Sequence, residues 1–224
     1  ALRHHGGAKK EEYNTPSVER VRNGFENLFK HIENCKKFGI VPVVAINSFY
    51  NDSEEEVNLV INECAKLGVK AVISKGFTLG GDGTIDLANA VVEAIDKDVN
   101  HFKKLYDWNL SVEEKIKTIA TEIYGADHVE YSNTARIQLK TIAELKLDKL
   151  PICMAKTQKS LSDNESKIGR PRDFVINVRE FEFAAGAGFI IPILGEMMRM
   201  PGLPAIPAAE KMDIDGAGKI SGLS

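Results

Sequence analysis

Several things are scarce in this chain of 224 residues. Cysteine occurs three times, at Cys35, Cys64 and Cys153, far apart and in odd number. That excludes a disulfide framework and a CxxC metal knuckle, and it fits a reducing compartment, with the cytoplasm as the expectation. A basic excess is missing: 29 Lys and Arg stand against 32 Asp and Glu, for a net charge of −3. Nothing is left over to neutralise a phosphate backbone, so no nucleic-acid partner is expected. The longest apolar stretches, such as residues 184–194, fall well short of the roughly 20 residues a membrane-spanning helix needs. No HxxxH or HxH spacing gathers the histidines into a metal site, no GxSxG elbow offers a nucleophile, and no GxxxxGK[ST] phosphate loop occurs. The opening Ala-Leu-Arg-His-His-Gly-Gly has neither an initiator Met nor a cleavable signal pattern, and it reads as the interior of something longer, which leaves room for an organellar leader upstream.

What is present is an ordinary globular balance, 43% apolar and 27% charged, with enough chain to bury a sizeable core. Residues 17–37 place Val18, Val21, Phe25, Leu28, Phe29 and Ile32 at spacings of three and four, the stripe of an amphipathic helix. Gly39 follows where a left-handed cap is favoured. Residues 41–47 (VPVVAIN) form a β-branched run, expected as a strand covered on both faces. Ser53 and Glu56 make a capping box, and its helix runs through Val57, Val60, Ile61 and Cys64 to Gly68. Residues 69–74 read as a second buried strand. Gly80-Gly81-Asp82-Gly83 then opens a helix with Ile85, Ala88, Val92 and Ile95 on one side. Such alternation predicts a parallel sheet crossed by helices, with the loops after both strands on one edge, where ligands sit in these folds.

Beyond residue 100 the pattern changes. Ser111 and Glu114 cap a helix with Ile116, Ile119, Ala120 and Ile123 inward, and residues 133–147 read as a less periodic helix. Residues 151–156, 174–183 and 188–194 are strand candidates, and residues 160–172 a loop. Pro201, Pro204 and Pro207 predict an extended stretch over residues 200–208. The expected class is α/β: a parallel sheet flanked by helices, like a P-loop NTPase or Rossmann layer, over residues 1–99. A smaller α+β module with a Pro-rich tail follows over residues 100–224.

Candidate chemistry is sparse. Gly80–Gly83 has the strand-to-helix context of a phosphate loop but neither the spacing nor the Lys, so a tight turn or a loop shaped around another ligand is the better reading. Gly216-Ala217-Gly218-Lys219-Ile220 reads as the turn of a terminal hairpin, and Ala185-Gly186-Ala187-Gly188 as a crossing where backbone approaches backbone. His4 and His5 read as solvent-facing loop residues, and Glu54–Glu56 as the solvated first turn of a helix. Phe49 and Phe77 carry more. Each follows a strand directly, on loops that should share one edge, where polar residues are the norm. Two rings facing across a gap of about 7 Å would hold a flat heterocycle by its faces, each stack contributing about 0.5–1.5 kcal/mol. The alternative is that either ring folds back onto the core.

At these residues the chain resembles the C-terminal portion of formate–tetrahydrofolate ligase. The likeness extends over essentially the whole sequence: ALRHHGG, VPVVAINSF, GFTLGGDGTIDLA, KTIATEIYGA, LPICMAKTQKSLSD, GRPRDF, GAGFIIPILGEMMRMPGLP and DIDGAGKISGL, in that order. It implies ATP-dependent joining of formate to tetrahydrofolate through formyl phosphate, in a homotetramer using magnesium–ATP and activated by a monovalent cation such as potassium or ammonium. It also implies that Phe49 and Phe77 sandwich the pterin, with Ile73 lining the pocket. Two departures stand out: Phe77 replaces a common Trp, and Tyr50 follows Phe49 where Pro is frequent. Asn47 ends its strand where related P-loop NTPases place a base-reading Asn. The family's phosphate loop, and with it the catalytic Lys and Thr, lies in an N-terminal half, so no catalytic residue and no metal ligand is expected within these 224 residues. Two other readings stay open, a non-catalytic assembly module and an α/β module for some other planar ligand.

Overall fold

The computed structural model describes residues 1–97, 101–195, 205–216, 218 and 220–222. A short opening helix, α1 (Leu2–His5), leads through a 3-10 turn at Lys10–Glu12 into the long α2 (Val18–Lys37), which is N-capped by the Ser17 hydroxyl. Strand β1 (Val44–Asn47), helix α3 (Glu54–Lys66) and strand β2 (Ala71–Ser74) form a right-sized β-α-β unit, with β1 and β2 paired in parallel from Val44 opposite Ala71 to Asn47 opposite Ser74. After β2 come the four-residue α4 (Gly76–Leu79), a 3-10 turn at Gly80–Thr84, and α5 (Ile85–Lys97).

The second half starts with α6 (Val112–Thr118), whose last turns widen into a π-helix at Ile119–Tyr124. Strand β3 (His128–Tyr131), helix α7 (Asn133–Glu144), and the hairpin of β4 (Val175–Ala184) and β5 (Phe189–Leu194) follow. Together the three strands make a mixed sheet in the order β3-β4-β5, parallel then antiparallel. A 3-10 turn at Ala208–Lys211 precedes a two-residue hairpin, β6 (Asp213–Ile214) against β7 (Ile220–Ser221). The architecture is thus mixed α/β, with small parallel and mixed sheets flanked by helices. No helix among the described residues is long and apolar enough to cross a membrane.

Two apolar clusters hold these elements. Val21, Ile32, Leu59, Val60, Cys64 and Val69 join α2, α3 and the approach to β2. Ile116, Ala120, Ile142, Phe174, Ile176, Phe181, Ile190 and Leu194 join α6, α7 and the mixed sheet. Between them α2 acts through polar side chains. Its buried Lys30 ammonium donates to the Glu122 carbonyl at 2.7 Å, and Asn34 to the Ile123 carbonyl at 3.0 Å. These are the carbonyls that the end of the π-turn leaves without intrahelical partners. Asn27 reaches the Gly169 carbonyl at 2.8 Å, and Arg170 pairs with Glu33 at 2.6 Å.

Several expectations need correcting. The first strand is Val44–Asn47 rather than residues 41–47, because Pro42 has no N–H for a ladder. It is not covered on both faces: Ala45 and Asn47 are exposed. The side of α5 carrying Ile85, Val92 and Ile95 also faces outward, and Ala90 is the residue it buries. Residues 151–156 make only isolated bridges, Ile152 to Ile190 and Ala155 to Ile193. The glycines at 186 and 188 lie in the β4–β5 hairpin turn with open space around them, not at a crossing. The extended Pro segment lies mostly outside the described residues, as do Ala217 and Lys219 of the terminal turn.

Helix α1 packs on α2 through two glycines. A Cβ on Gly24 would stand 2.0 Å from the Leu2 carbonyl oxygen, and one on Gly6 1.8 Å from that of Arg20. Backbone cannot yield as a side-chain tip can. Gly24→Ala is therefore expected to destabilise the fold by about 2 kcal/mol or more in denaturant titration, despite Ala's better helix propensity.

Candidate functional site

Parallel strands that end together deliver their following loops to the same edge. Asn47 lies opposite Ser74, and the ladder extends one step further, with Ser48 N–H donating to the Ser74 carbonyl at 3.0 Å. The next residues carry the aromatic pair. The ring centroids of Phe49 and Phe77 are 5.5 Å apart with planes tilted by 52°. Neither ring folds into the core: Phe49 is 41% and Phe77 67% exposed. They do not gape as expected, however. A heterocycle held by both faces needs about 7 Å between centroids, so the rings would have to part by roughly 1.5 Å and turn.

Beside them opens a cleft of about 690 Å³, a volume suited to a small-molecule ligand. Phe49, Tyr50 and Ile73 line it, with Val57 and Leu79 adding apolar surface and Asp52, Glu54 and Lys75 adding charge. Tyr50 is 90% exposed, standing clear of its neighbours. Asn47 is exposed at the end of β1 and is not part of the cleft lining. Among the described residues no group of three or more His, Cys, Asp or Glu is placed to hold a metal ion.

The second loop is shaped by glycine. Lys75 N–H donates to the Gly83 carbonyl at 2.9 Å, closing residues 75–83 into a compact turn. A Cβ on Gly83 would lie 2.4 Å from the Lys75 carbonyl oxygen, and Gly80 sits at φ +57°, ψ −136°, a region open essentially to glycine alone. The glycine run thus builds the turn that presents Phe77.

The first loop is held by charge, and here the sequence reading missed the main residues. Glu56 is not a solvated first-turn carboxylate. Its side chain is 4% exposed and takes a two-pronged ion pair from Arg3, with Nε to Oε1 and a terminal nitrogen to Oε2, both at 2.7 Å. Ser17 N–H, Ser53 N–H and the Ser53 hydroxyl complete its shell at 2.8–3.0 Å. The same Arg3 nitrogen reaches Asp52 at 2.9 Å. The capping box signalled the Ser53 contacts. Nothing local signals a partner 53 residues away.

The histidines also differ from expectation, since they lie in α1 rather than in an exposed loop. His4 Nδ1 is 2.8 Å from the Tyr13 hydroxyl. His5 Nδ1 accepts from Gly169 N–H at 3.1 Å, which requires that nitrogen to be unprotonated. Burial, then repulsion from His4, the N-terminus and His31, pushes His5 down to about 4, in keeping with that bond.

Burial alone would raise the Glu56 carboxyl. The bonds from Arg3, Ser17 and Ser53 outweigh it and leave Glu56 lowered from 4.5 to about 2. A carboxylate depressed in the folded state contributes stability above its unfolded value and loses it as pH falls through the folded one. Stability is therefore expected to drop by roughly 3 kcal/mol between about pH 5 and pH 2 through this group. Urea titrations across that range check it: Glu56→Gln should flatten the slope while lowering stability at neutral pH.

The site thus has two neighbouring phenyl rings at the strand ends, a charged-and-apolar cleft beside them, a glycine-built turn carrying Phe77 and a buried Arg3–Glu56 pair behind the first loop. The sequence likeness holds over the full length, since the family model described as formate–tetrahydrofolate ligase matches residues 1–224. The chain belongs to the formate–tetrahydrofolate ligase family.

Proposed function

We propose that this chain supplies the tetrahydrofolate-binding part of a ligase that joins formate to the N10 amine of tetrahydrofolate, with Phe49 and Phe77 gripping the pterin. The observation that carries the reading is the pairing of the two rings, 5.5 Å apart, beside a 690 Å³ cleft that Phe49 lines and that Phe77 borders only through its neighbours Thr78 and Leu79. Ile73 and Val57 offer an apolar floor for the bicyclic ring, and the polar groups of Asp52, Glu54 and Lys75 lie within the same lining. Entry of the pterin between the rings replaces their mutual contact, and the exposure of Phe77 makes that opening inexpensive.

The chemistry explains the need for ATP. Formate is a stabilised anion and a poor electrophile. Attack of its oxygen on the γ-phosphorus releases ADP and gives formyl phosphate, whose carbon then accepts the lone pair of N10. Phosphate leaves, N10 gives up its proton, and 10-formyltetrahydrofolate results. Catalysis of the first step needs cations and backbone amides arrayed around the phosphoryl group. No phosphate-loop motif occurs in these 224 residues. We assign no catalytic residue to them and take the isolated chain to be inactive in that step. Magnesium arrives with the nucleotide, coordinated mostly by phosphate oxygens and water. We assign neither it nor the activating potassium or ammonium to a residue here.

The remaining parts of the reading follow the family. Residues 1–99 form the folate-site unit, with β1 and β2 belonging to a P-loop-type sheet, and residues 100–224 form an α+β module. Asn47, outside the cleft, is reserved for a nucleotide contact. The whole enzyme is a cytoplasmic homotetramer. A second reading, an assembly module without its own ligand, draws on the outward apolar stripe of Ile85, Val92 and Ile95.

Calorimetric titration with tetrahydrofolate separates the two. Phe49→Ala and Phe77→Ala are each expected to weaken binding about tenfold, and Phe77→Trp to tighten it several-fold through greater stacking area. Absence of binding alongside clean self-association would favour the assembly reading. In a coupled ADP-release assay with ATP, formate and tetrahydrofolate, the isolated chain should show no turnover; robust release would overturn the division of labour.

A further inference from the structure

Arg3 does two separate jobs. Toward Glu56 it makes the two-pronged ion pair at 2.7 Å, and with Nη1 it donates to the Tyr13 carbonyl at 2.8 Å; both contacts fasten the opening segment to α3 and the turn before α2. Toward Asp52 its role differs, because Asp52 lies in the loop that carries the Phe49 ring. One Asp52 oxygen meets Arg3 at 2.9 Å, while the other accepts the Phe49 N–H, also at 2.9 Å. Asp52 N–H returns to the Phe49 carbonyl at 3.0 Å, so Asp52 closes the turn over residues 49–52 twice, once with its carboxylate and once with its main chain. A second tether, from Asn51 to the Asn14 carbonyl at 3.0 Å, ties the same loop to the opening segment. Arg3 itself does not line the cleft.

An exposed carboxylate on a loop samples several rotamers, and its hydrogen bond to a neighbouring amide is only intermittent. A carboxylate clamped by a guanidinium that is itself locked on a buried Glu has one orientation. The Phe49 amide, directly below the ring, inherits that order. We propose that Arg3 is a positioning residue of the ligand cleft: through Asp52 it fixes the backbone at Phe49 and thereby the direction in which the ring meets a flat ligand. This rests on the pterin reading of the cleft and adds to it a device that prepays the ordering of one stacking wall.

The test measures tetrahydrofolate affinity by calorimetry and the thermal midpoint for a set of variants of the full chain. Asp52→Ala leaves the Arg3–Glu56 pair intact, so the midpoint should hold within a few degrees while affinity falls about tenfold. Arg3→Gln should lower affinity comparably and the midpoint as well. If it does not fold, Arg3→Lys replaces it, retaining a cation beside Glu56 but offering one nitrogen to two carboxylates. The double variant should bind no more weakly than the weaker single, since both act on one path. Glu56→Gln loosens the lock on Arg3, so it should lower the midpoint more than Asp52→Ala does yet weaken affinity less, an opposite ordering of the two readouts that a purely structural role for the whole network would not produce. Losses that add would mean that Asp52 touches the ligand on its own account, and would overturn the proposal. So would an unchanged affinity in Asp52→Ala where Phe49→Ala loses binding. An unchanged affinity in Phe49→Ala would instead remove the pterin reading itself, and this inference with it.

Discussion

The parallel register of β1 and β2 governs the candidate site. Four aligned pairs end at Asn47 and Ser74, so the chain leaves both strands at one level and in one direction. A parallel pair demands a crossover, and α3 provides it, packing Leu59, Val60 and Cys64 into the same core as Val21 and Ile32 of α2. A slip of one residue would turn Ile73 or Ile46 to the wrong side and set the two loops at different heights. Phe49 and Phe77 meet because no such slip occurs.

Two different kinds of physics then hold the loops. Residues 75–83 are shaped sterically, by glycines that permit a backbone approach no side chain would survive. Residues 48–52 are shaped electrostatically, around Arg3, Asp52 and Glu56. A buried ion pair is a weak source of net stability, because desolvation consumes much of the Coulombic gain. Its strength is directional: each oxygen of Glu56 and Asp52 has a named donor, so few alternative arrangements satisfy all of them. The arrangement joins an opening segment, a loop and a helix start that are far apart in sequence.

The sequence made some of this legible and hid the rest for identifiable reasons. Periodicity announced α2, and the Ser53–Glu56 and Ser111–Glu114 boxes announced the starts of α3 and α6, because those signals are local. The edge shared by Phe49 and Phe77 followed from alternation alone. Arg3 was invisible since its partners lie about fifty residues on, and a lone Arg among histidines carries no pattern. The buried lysines, Lys30 and Lys115, were equally hidden. Both end on main-chain carbonyls, Lys115 on those of Asp148 and Leu150 at 2.6 and 3.1 Å, and carbonyls leave no trace in residue identity. The outward stripe of α5 marks a further limit, because an apolar stripe tells which face wants cover, not whether cover is present.

Helix α2 gives its hydrocarbon to the first apolar cluster and its amide and ammonium groups to main-chain carbonyls of the second half. To peel the second half away would strand the Lys30 ammonium and the Asn27 and Asn34 amides without acceptors, in surroundings too dry to replace them at once. To melt the helix would dissolve the first cluster and uncap the π-turn in the same stroke. Separation of the two cores therefore carries a polar cost as well as an apolar one, and the helix that couples them stands outside the lining of the cleft.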